Sequence, residues 1–275
     1  MADATTGAEE TLGSTPSPPL PADALIIVPV RGLVLFPGTV LPITLGRPRS
    51  VLAAQRAVRE QKPVGIVMQR SAEVADPLPI DMHRMGTVAN IVRYITAPDG
   101  TNHIVCQGEQ RFRVDDYLNG WPFFVAKTER IAEPTPTSNE IEARFVHLKS
   151  QAIEAIQLLP QAPNELLATI QGVDSPGGLA DLVATFMDAT PDEKQEILET
   201  VDIGARMERV SRLLAHRIEV LRLSQEIGRE TKASLDALSP KYGAWDGFSR
   251  MAPREIPLTA KELSGTKLTP VPAAD

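Results

Sequence analysis

The sequence predicts an α+β protein in which a small, partly closed β-barrel comes first and an α-helical bundle ending in a long helix follows. Three observations carry this. Up to about residue 133 the apolar residues come in short runs bounded by glycine and proline, the length and punctuation of strands. The run Glu133-Pro134-Thr135-Pro136-Thr137-Ser138 then ends any sheet, because two prolines in a polar stretch cannot continue a central strand. Beyond it the apolar residues recur at steps of three and four, the period of helices packed on one face.

Candidate strands are Leu25 to Val30, Leu41 to Leu45, Val64 to Gln69, Gly86 to Thr96, Asn102 to Gln107, Phe112 to Leu118 and Phe123 to Arg130. One helix interrupts them: Ser50 suits an N-cap for Val51 to Gln61, where Val51, Ala54 and Val58 share a stripe. Pro98-Asp99-Gly100 predicts a hairpin, since proline presets one turn dihedral and glycine accepts positive φ. Many short strands with irregular connections favour a barrel over an open sheet.

In the second half, Thr137 with Glu140 has capping-box spacing, and Ile141, Phe145, Leu148, Ala152, Ile156 and Leu159 follow on one face. Pro163 opens a second helix that Gly172 can close, Ser175-Pro176 opens a third, and Thr190-Pro191-Asp192-Glu193 opens a fourth. From Asp202 to about Leu235 runs the long helix, with Ile203, Met207, Val210, Leu214, Ile218 and Leu221 as its seam. Its first half is expected to pack on the preceding helices. Arg222 to Leu235 has too few apolar positions to bury itself, which suits either a coiled-coil strand or a frayed bundle helix.

The expected organisation is a disordered leader over 1–23, a β domain over 24–133, a helical domain over 134–236 and a flexible tail over 237–275. In that tail Trp245 and Phe248 suit either a short docking motif or a loose terminus. The 35 acidic residues outnumber the 28 lysines and arginines, so a broad electrostatic footprint for nucleic acid is lacking. The single cysteine, Cys106, excludes an internal disulfide framework and reads as a small buried hydrophobe. The amino terminus has neither the basic nor the apolar region of a secretion signal, and no apolar run reaches the roughly 20 residues of a membrane span. A cytoplasmic protein without membrane contact is expected.

The most informative stretch is residues 25 to 45, where two strand-like runs flank a loop that is itself apolar. Leu33, Val34, Leu35 and Phe36 sit between Gly32 and Gly38. Either the loop is tucked over a barrel end, or it is a surface for binding exposed apolar polypeptide. Trp121, Phe123 and Phe124 form a second candidate group for such contacts, although their bulk also suits a core.

These residues, read in order, resemble the amino-terminal domain of the Lon family of ATP-dependent proteases. The resemblance rests on Pro29-Val30-Arg31, Phe36-Pro37-Gly38, Leu41-Pro42-Ile43, Met85-Gly86-Thr87-Val88-Ala89, Pro98-Asp99-Gly100, Gln107 through Val114, and Arg217-Ile218-Glu219-Val220-Leu221, and spans about residues 24 to 236. It implies a PUA-like pseudo-barrel and a substrate-recognition role in protein quality control. The family's ATPase and peptidase segments are not matched. The phosphate-binding pattern Gly-x-x-x-x-Gly-Lys-Ser/Thr is absent, Gly265-Thr266-Lys267 being the nearest fragment.

No other catalytic pattern is present. His83, His103, His147 and His216 are scattered without metal-ligand spacing, no Gly-x-Ser-x-Gly elbow occurs, and Asp115-Asp116 and Asp192-Glu193 suit turns and helix starts. No catalytic residue, metal or cofactor is therefore expected. The leading expectation is a noncatalytic module that holds unfolded or degron-bearing proteins. The alternative is a regulatory or assembly subunit that self-associates or pairs with full-length Lon through the 203–221 seam. RNA binding by the barrel is a minor alternative that the acidic charge disfavours.

Overall fold

The structure, a computed structural model, describes residues 18–21, 23–134, 138–159 and 164–238, with backbone alone at 164 and 232–238. The elements run β1 (Ala24–Val30), β2 (Val40–Leu45), α1 (Pro48–Glu60), β3 (Val64–Met68), β4 (Met85–Thr96), β5 (Asn102–Leu118), β6 (Phe124–Arg130), α2 (Asn139–Leu158), α3 (Asn164–Gly172), α4 (Pro176–Phe186), α5 (Pro191–Glu199) and α6 (Ile203–Leu238). The architecture is α+β, strands first and helices after.

The strands form one sheet in the order β2-β5-β4-β3-β1-β6, and β6 pairs with β5 as well as with β1. That second pairing closes five strands into a ring and leaves β2 outside it, held by β5. β1 and β3 are parallel, which no hairpin can achieve, so β2 and α1 supply the crossover. The free edge belongs to β2. Because Gly108 N–H donates to the Thr39 carbonyl, alternation turns the backbone groups of Val40, Pro42 and Thr44 outward. Proline at the middle position removes a donor from an edge that could template a foreign strand.

The two strands expected at 102–107 and 112–118 are one strand of 17 residues. β4 pairs along most of its length, β2 takes the first part and β6 the last, so no stretch of β5 is left without a partner that would let it break. The β4–β5 hairpin turns at Pro98-Asp99-Gly100 as expected, with Gly100 at φ +84° and Asp99 Oδ1 accepting from Thr101 N–H at 2.9 Å.

Helix starts follow local capping chemistry with two shifts. α1 begins at Pro48, whose fixed φ and missing N–H suit the first helical position, so Ser50 lies buried in the first turn and is not the cap. For α2 the cap is Ser138, whose Oγ accepts from Ile141 N–H; Thr137 and Pro163 lie outside the described residues. Ser175 caps α4, Thr190 and Glu193 form the capping box of α5, and Asp202 accepts from Ala205 N–H ahead of α6.

The core has two parts. Leu25, Ile27, Val67, Val88, Phe112, Val114 and Ala126, with Met82, form a small cluster drawn from all five strands of the ring. The Phe112 ring fills the space opposite Gly65, where an added Cβ would meet it at 2.6 Å. The larger cluster uses the other face of β1, through Ile26, Val28 and Val30, and continues through α1 into α2, α4, α5 and α6. Cys106 belongs to it and is fully buried. The described residues up to Arg222 make one compact unit; a second begins at Leu223, and its described part is the end of α6. Trp245 and Phe248 lie outside the described residues.

Candidate functional site

The apolar loop after β1 is core, which corrects the expectation of an exposed contact surface there. Val34, Leu35 and Phe36 are buried, Phe36 completely, and Leu33 is half-buried. Hydrogen bonds seal the loop onto the sheet: Thr87 Oγ1 donates to the Leu35 carbonyl at 2.5 Å, Thr39 Oγ1 to the Phe36 carbonyl at 2.7 Å, and Gly38 N–H to the Gly108 carbonyl at 2.9 Å. Gly108 makes this approach possible. A Cβ there would lie 2.3 Å from the Phe36 carbonyl oxygen, so any other residue would lift the loop.

The second candidate group is also committed to packing. Phe123 is buried, and Phe124 is half-buried, edge-on to Tyr117 at 5.9 Å with the Arg49 guanidinium 4.7 Å over its ring. Trp121 is half-buried and donates its indole N–H to the Pro18 carbonyl at 3.0 Å. The seam named for assembly packs within the chain, as expected for the first half of the long helix. Ile203, Met207, Val210, Leu214 and Ile218 are buried within the chain's own bundle and Leu221 is half-buried, because the apolar stripe of α6 faces helices that precede it.

An ionic cluster that sequence reasoning missed joins the strand half to the helical half. Arg111 of β5 grips Asp181 of α4 through two bonds of 2.6 and 2.8 Å and donates its Nε to the Leu198 carbonyl at 2.9 Å. Arg206 of α6 bonds Glu133 at 2.8 Å and donates to the carbonyls of Thr200 and Val201. Both guanidinia and Asp181 are at most 2% exposed. Buried charges at this depth stand only when paired and hydrogen-bonded, and here every one is. The partners come from β5, the segment after β6, α4 and α6, so the cluster fixes the helices to the barrel.

The helical half carries an open apolar groove of about 370 Å³. Leu182, Val183, Phe186 and Met187 of α4 and its end form one side; Ala152, Ile156 and Leu159 come from α2 and the residue after it, Leu166 and Ile170 from α3, and Leu214, Val220 and Leu221 from α6. Phe186 is 62% exposed, and Leu159 and Val220 are also exposed. The charged groups lining it are Asp188 and Arg217, paired at 2.9 Å. The arrangement offers an apolar bed with an ionic rim, suited to greasy side chains from a partner and to no bond-making chemistry. The signal for it was present: Leu179, Leu182, Val183, Phe186 and Met187 make an apolar stripe on a helix that also buries Ala180 and Ala184, more apolar surface than one contact face needs.

The histidines of the strand half act as hydrogen-bonding groups, His83 Nδ1 lying 3.3 Å from Glu199 and His103 Nδ1 3.1 Å from Thr44 Oγ1. Among the described residues, no group of three or more His, Cys, Asp or Glu could hold a metal ion, and no helix is long and apolar enough to cross a membrane.

Residues 24–216 match the family described as the ATP-dependent protease La (LON) substrate-binding domain. A Lon protease of Methylocella silvestris is 59% identical over 230 residues, 84% of this chain and 28% of that protein. One of Phenylobacterium zucineum is 54% identical over 217 residues, 78% of this chain and 27% of that protein. The chain thus spans little more than a quarter of the length of these curated relatives. Among solved structures, the N-terminal domain of a Mycobacterium avium complex Lon protease superposes with a TM-score of 0.60 at 20% identity, over 70% of this chain and 98% of that one, a likeness of fold.

Proposed function

The chain belongs to the Lon substrate-binding domain family, and from that premise we propose that it is a noncatalytic recognition module which holds unfolded or degron-bearing polypeptides in protein quality control. The observation that carries the reading is the apolar groove, with Phe186 standing exposed beside it. Unfolded chains differ from folded ones in presenting large apolar side chains, and the groove has room for two or three of these. Each one buried contributes roughly 1.5–3 kcal/mol, offset by the cost of association, so single contacts are weak and tolerant of sequence. The buried Arg111–Asp181–Arg206 cluster supports the same role by holding the groove helices on a rigid base. A cytoplasmic setting is part of the proposal, supported by a lone buried cysteine and hence no reliance on disulfides.

The test is capture of a denatured client by the parent chain and by Phe186→Asp. Because Phe186 is exposed, the variant should keep its fold by circular dichroism and lose at least tenfold in client affinity. Equal capture by the two proteins would refute the groove as the contact site.

A second reading, association with full-length Lon or with another copy, draws support from Leu223 and Ile227. These lie four residues apart on the end of α6 and are 52% and 63% exposed. Leu223→Glu with Ile227→Glu should then abolish any dimer or Lon complex seen by light scattering. A parent chain that stays monomeric alone and with Lon would remove this reading.

A further inference from the structure

A second pocket, of about 380 Å³, opens where the end of β1, the end of β2 and the start of α1 meet. Ser50, in the first turn of α1 and only 3% exposed, lines it. A hydroxyl at that depth is ordinarily hydrogen-bonded, yet Ser50 Oγ has no partner among the described residues. Nor is it sealed away, as Arg56 Nε, His83 Nε2 and Gln195 Oε1 are, so it faces the pocket. The helix start around it is equally unfilled. Pro48 brings no N–H, the Arg47 side chain at the N-cap offers no acceptor, and the Arg49 and Ser50 N–H groups have none among the described residues. Two guanidinia complete this end of the pocket. Arg31 Nη2 donates to the Ala75 carbonyl at 3.0 Å, while Arg47 donates Nε to the same carbonyl at 2.8 Å and Nη2 to Gln69 Oε1 at 2.5 Å. Among the described residues neither Nη1 has a partner, and neither guanidinium has a carboxylate in ion-pair reach: Asp76, whose charge is felt at Arg47, pairs with Arg49 at 3.8 Å. Burial, and then the charge of Arg31, holds the Arg47 pKa below the ordinary arginine value.

Donors without acceptors and two cations without a counter-charge call for an anion, and the rest of the wall decides its kind. Val30, Leu33, Ile43 and Leu45 line the remainder and are apolar. A phosphate would turn some of its oxygens against these side chains, where an unpaired oxygen is costly. A carboxylate has only two oxygens, which the Ser50 donors and a guanidinium can satisfy, and the carbon behind them is free to carry an apolar group. The last residue of a polypeptide is built in that way, with a carboxylate and a side chain on one Cα. We propose that this pocket binds the free carboxyl-terminal residue of a polypeptide, its carboxylate held at Ser50 and the start of α1 between Arg31 and Arg47, and its apolar side chain laid on Val30, Leu33, Ile43 and Leu45. The inference rests on the reading of the chain as a polypeptide-recognition module and names the chain end as one feature recognised. The pocket shares no lining residue with the apolar groove, so the two contacts are separable.

The probe is a short Gly-Asn-Ser peptide, labelled with a fluorophore at its amino end and finishing in one leucine with a free carboxyl group. Its controls are the same peptide as the carboxyl-terminal amide, and an amide whose last residue is aspartate, which offers a carboxylate on a side chain only. Anisotropy with the full chain should show the acid binding about tenfold or more tightly than either amide. The amide resonance of Ser50 should move only with the acid. Arg31→Gln, at an exposed site, should weaken the acid about tenfold and leave the amides unchanged, and Ser50→Ala should act in the same direction. Should either variant not fold, the three peptides with the parent chain still decide. Equal binding of the acid and either amide, or a Ser50 resonance that inorganic phosphate moves and the acid does not, overturns the proposal. If denatured clients bind through Phe186 while acid and amide stay equal, the recognition reading stands and the pocket assignment falls. Acid-specific binding by a chain whose client capture ignores Phe186→Asp keeps the pocket and removes the groove.

Discussion

Asp181→Ala is the most revealing single change to stability, because it removes the shared anion of the Arg111–Asp181–Arg206 cluster. The variant leaves Arg111 without its two short bonds of 2.6 and 2.8 Å and leaves both guanidinia at most 2% exposed, with the half-open Glu133 as their remaining carboxylate. Breaking a buried pair in this way costs about 3–5 kcal/mol, most of it the penalty of cations stripped of water and partner. With a urea m-value of about 2–3 kcal/mol/M for a chain of this size, the midpoint should fall by roughly 1–2.5 M. Arg111→Met combined with Asp181→Leu should recover part of the loss, since the two changes remove both charges and refill the space with apolar atoms. A loss for Asp181→Ala below about 1 kcal/mol, or a double variant less stable than the single one, would refute the idea that this cluster locks the helices to the barrel.

Three further outcomes follow from other parts of the structure. Phe36→Asp places a carboxylate at a fully buried site and should cost about 4 kcal/mol or more in urea unfolding, so a loss of client binding in that variant would report a damaged fold. The Cys106 thiol, pushed up to about 12 by burial, should ignore a thiol-reactive disulfide reagent at mildly alkaline pH until denaturant exposes it, whereupon one equivalent reacts. Glu193 is held below the usual glutamate pKa first by the Thr190 backbone N–H and then by the Thr190 hydroxyl, so its carboxylate contributes stability above the unfolded value of 4.5 and loses it as pH falls through the lower folded value. Glu193→Gln should accordingly cost about 0.3–1 kcal/mol at neutral pH and nothing in acid, where the parent's carboxyl is protonated too; a pH-independent difference in thermal melts would contradict this.

Local chemistry determined the elements. The Pro98-Asp99-Gly100 turn, the Ser175 and Thr190 caps and the three-and-four spacing of the α6 seam each act within a few residues, and so could be read along the chain. The order of motifs from Pro29 to Leu221 marked the family for the same reason: it is a property of sequence. What the chain could not disclose is which of two apolar uses a residue takes. Leu33 to Phe36 are equally greasy as a contact loop or as a lid on the core, and the choice fell to Gly108 and Thr87, more than 50 residues away, which hold the loop down. The Arg111–Asp181 pair, 70 residues apart, and the groove assembled from α2, α3, α4 and α6 belong to the same class. Periodicity says that a face is apolar; only tertiary packing, which buries one apolar face and leaves Phe186 in water, says which one remains free to bind.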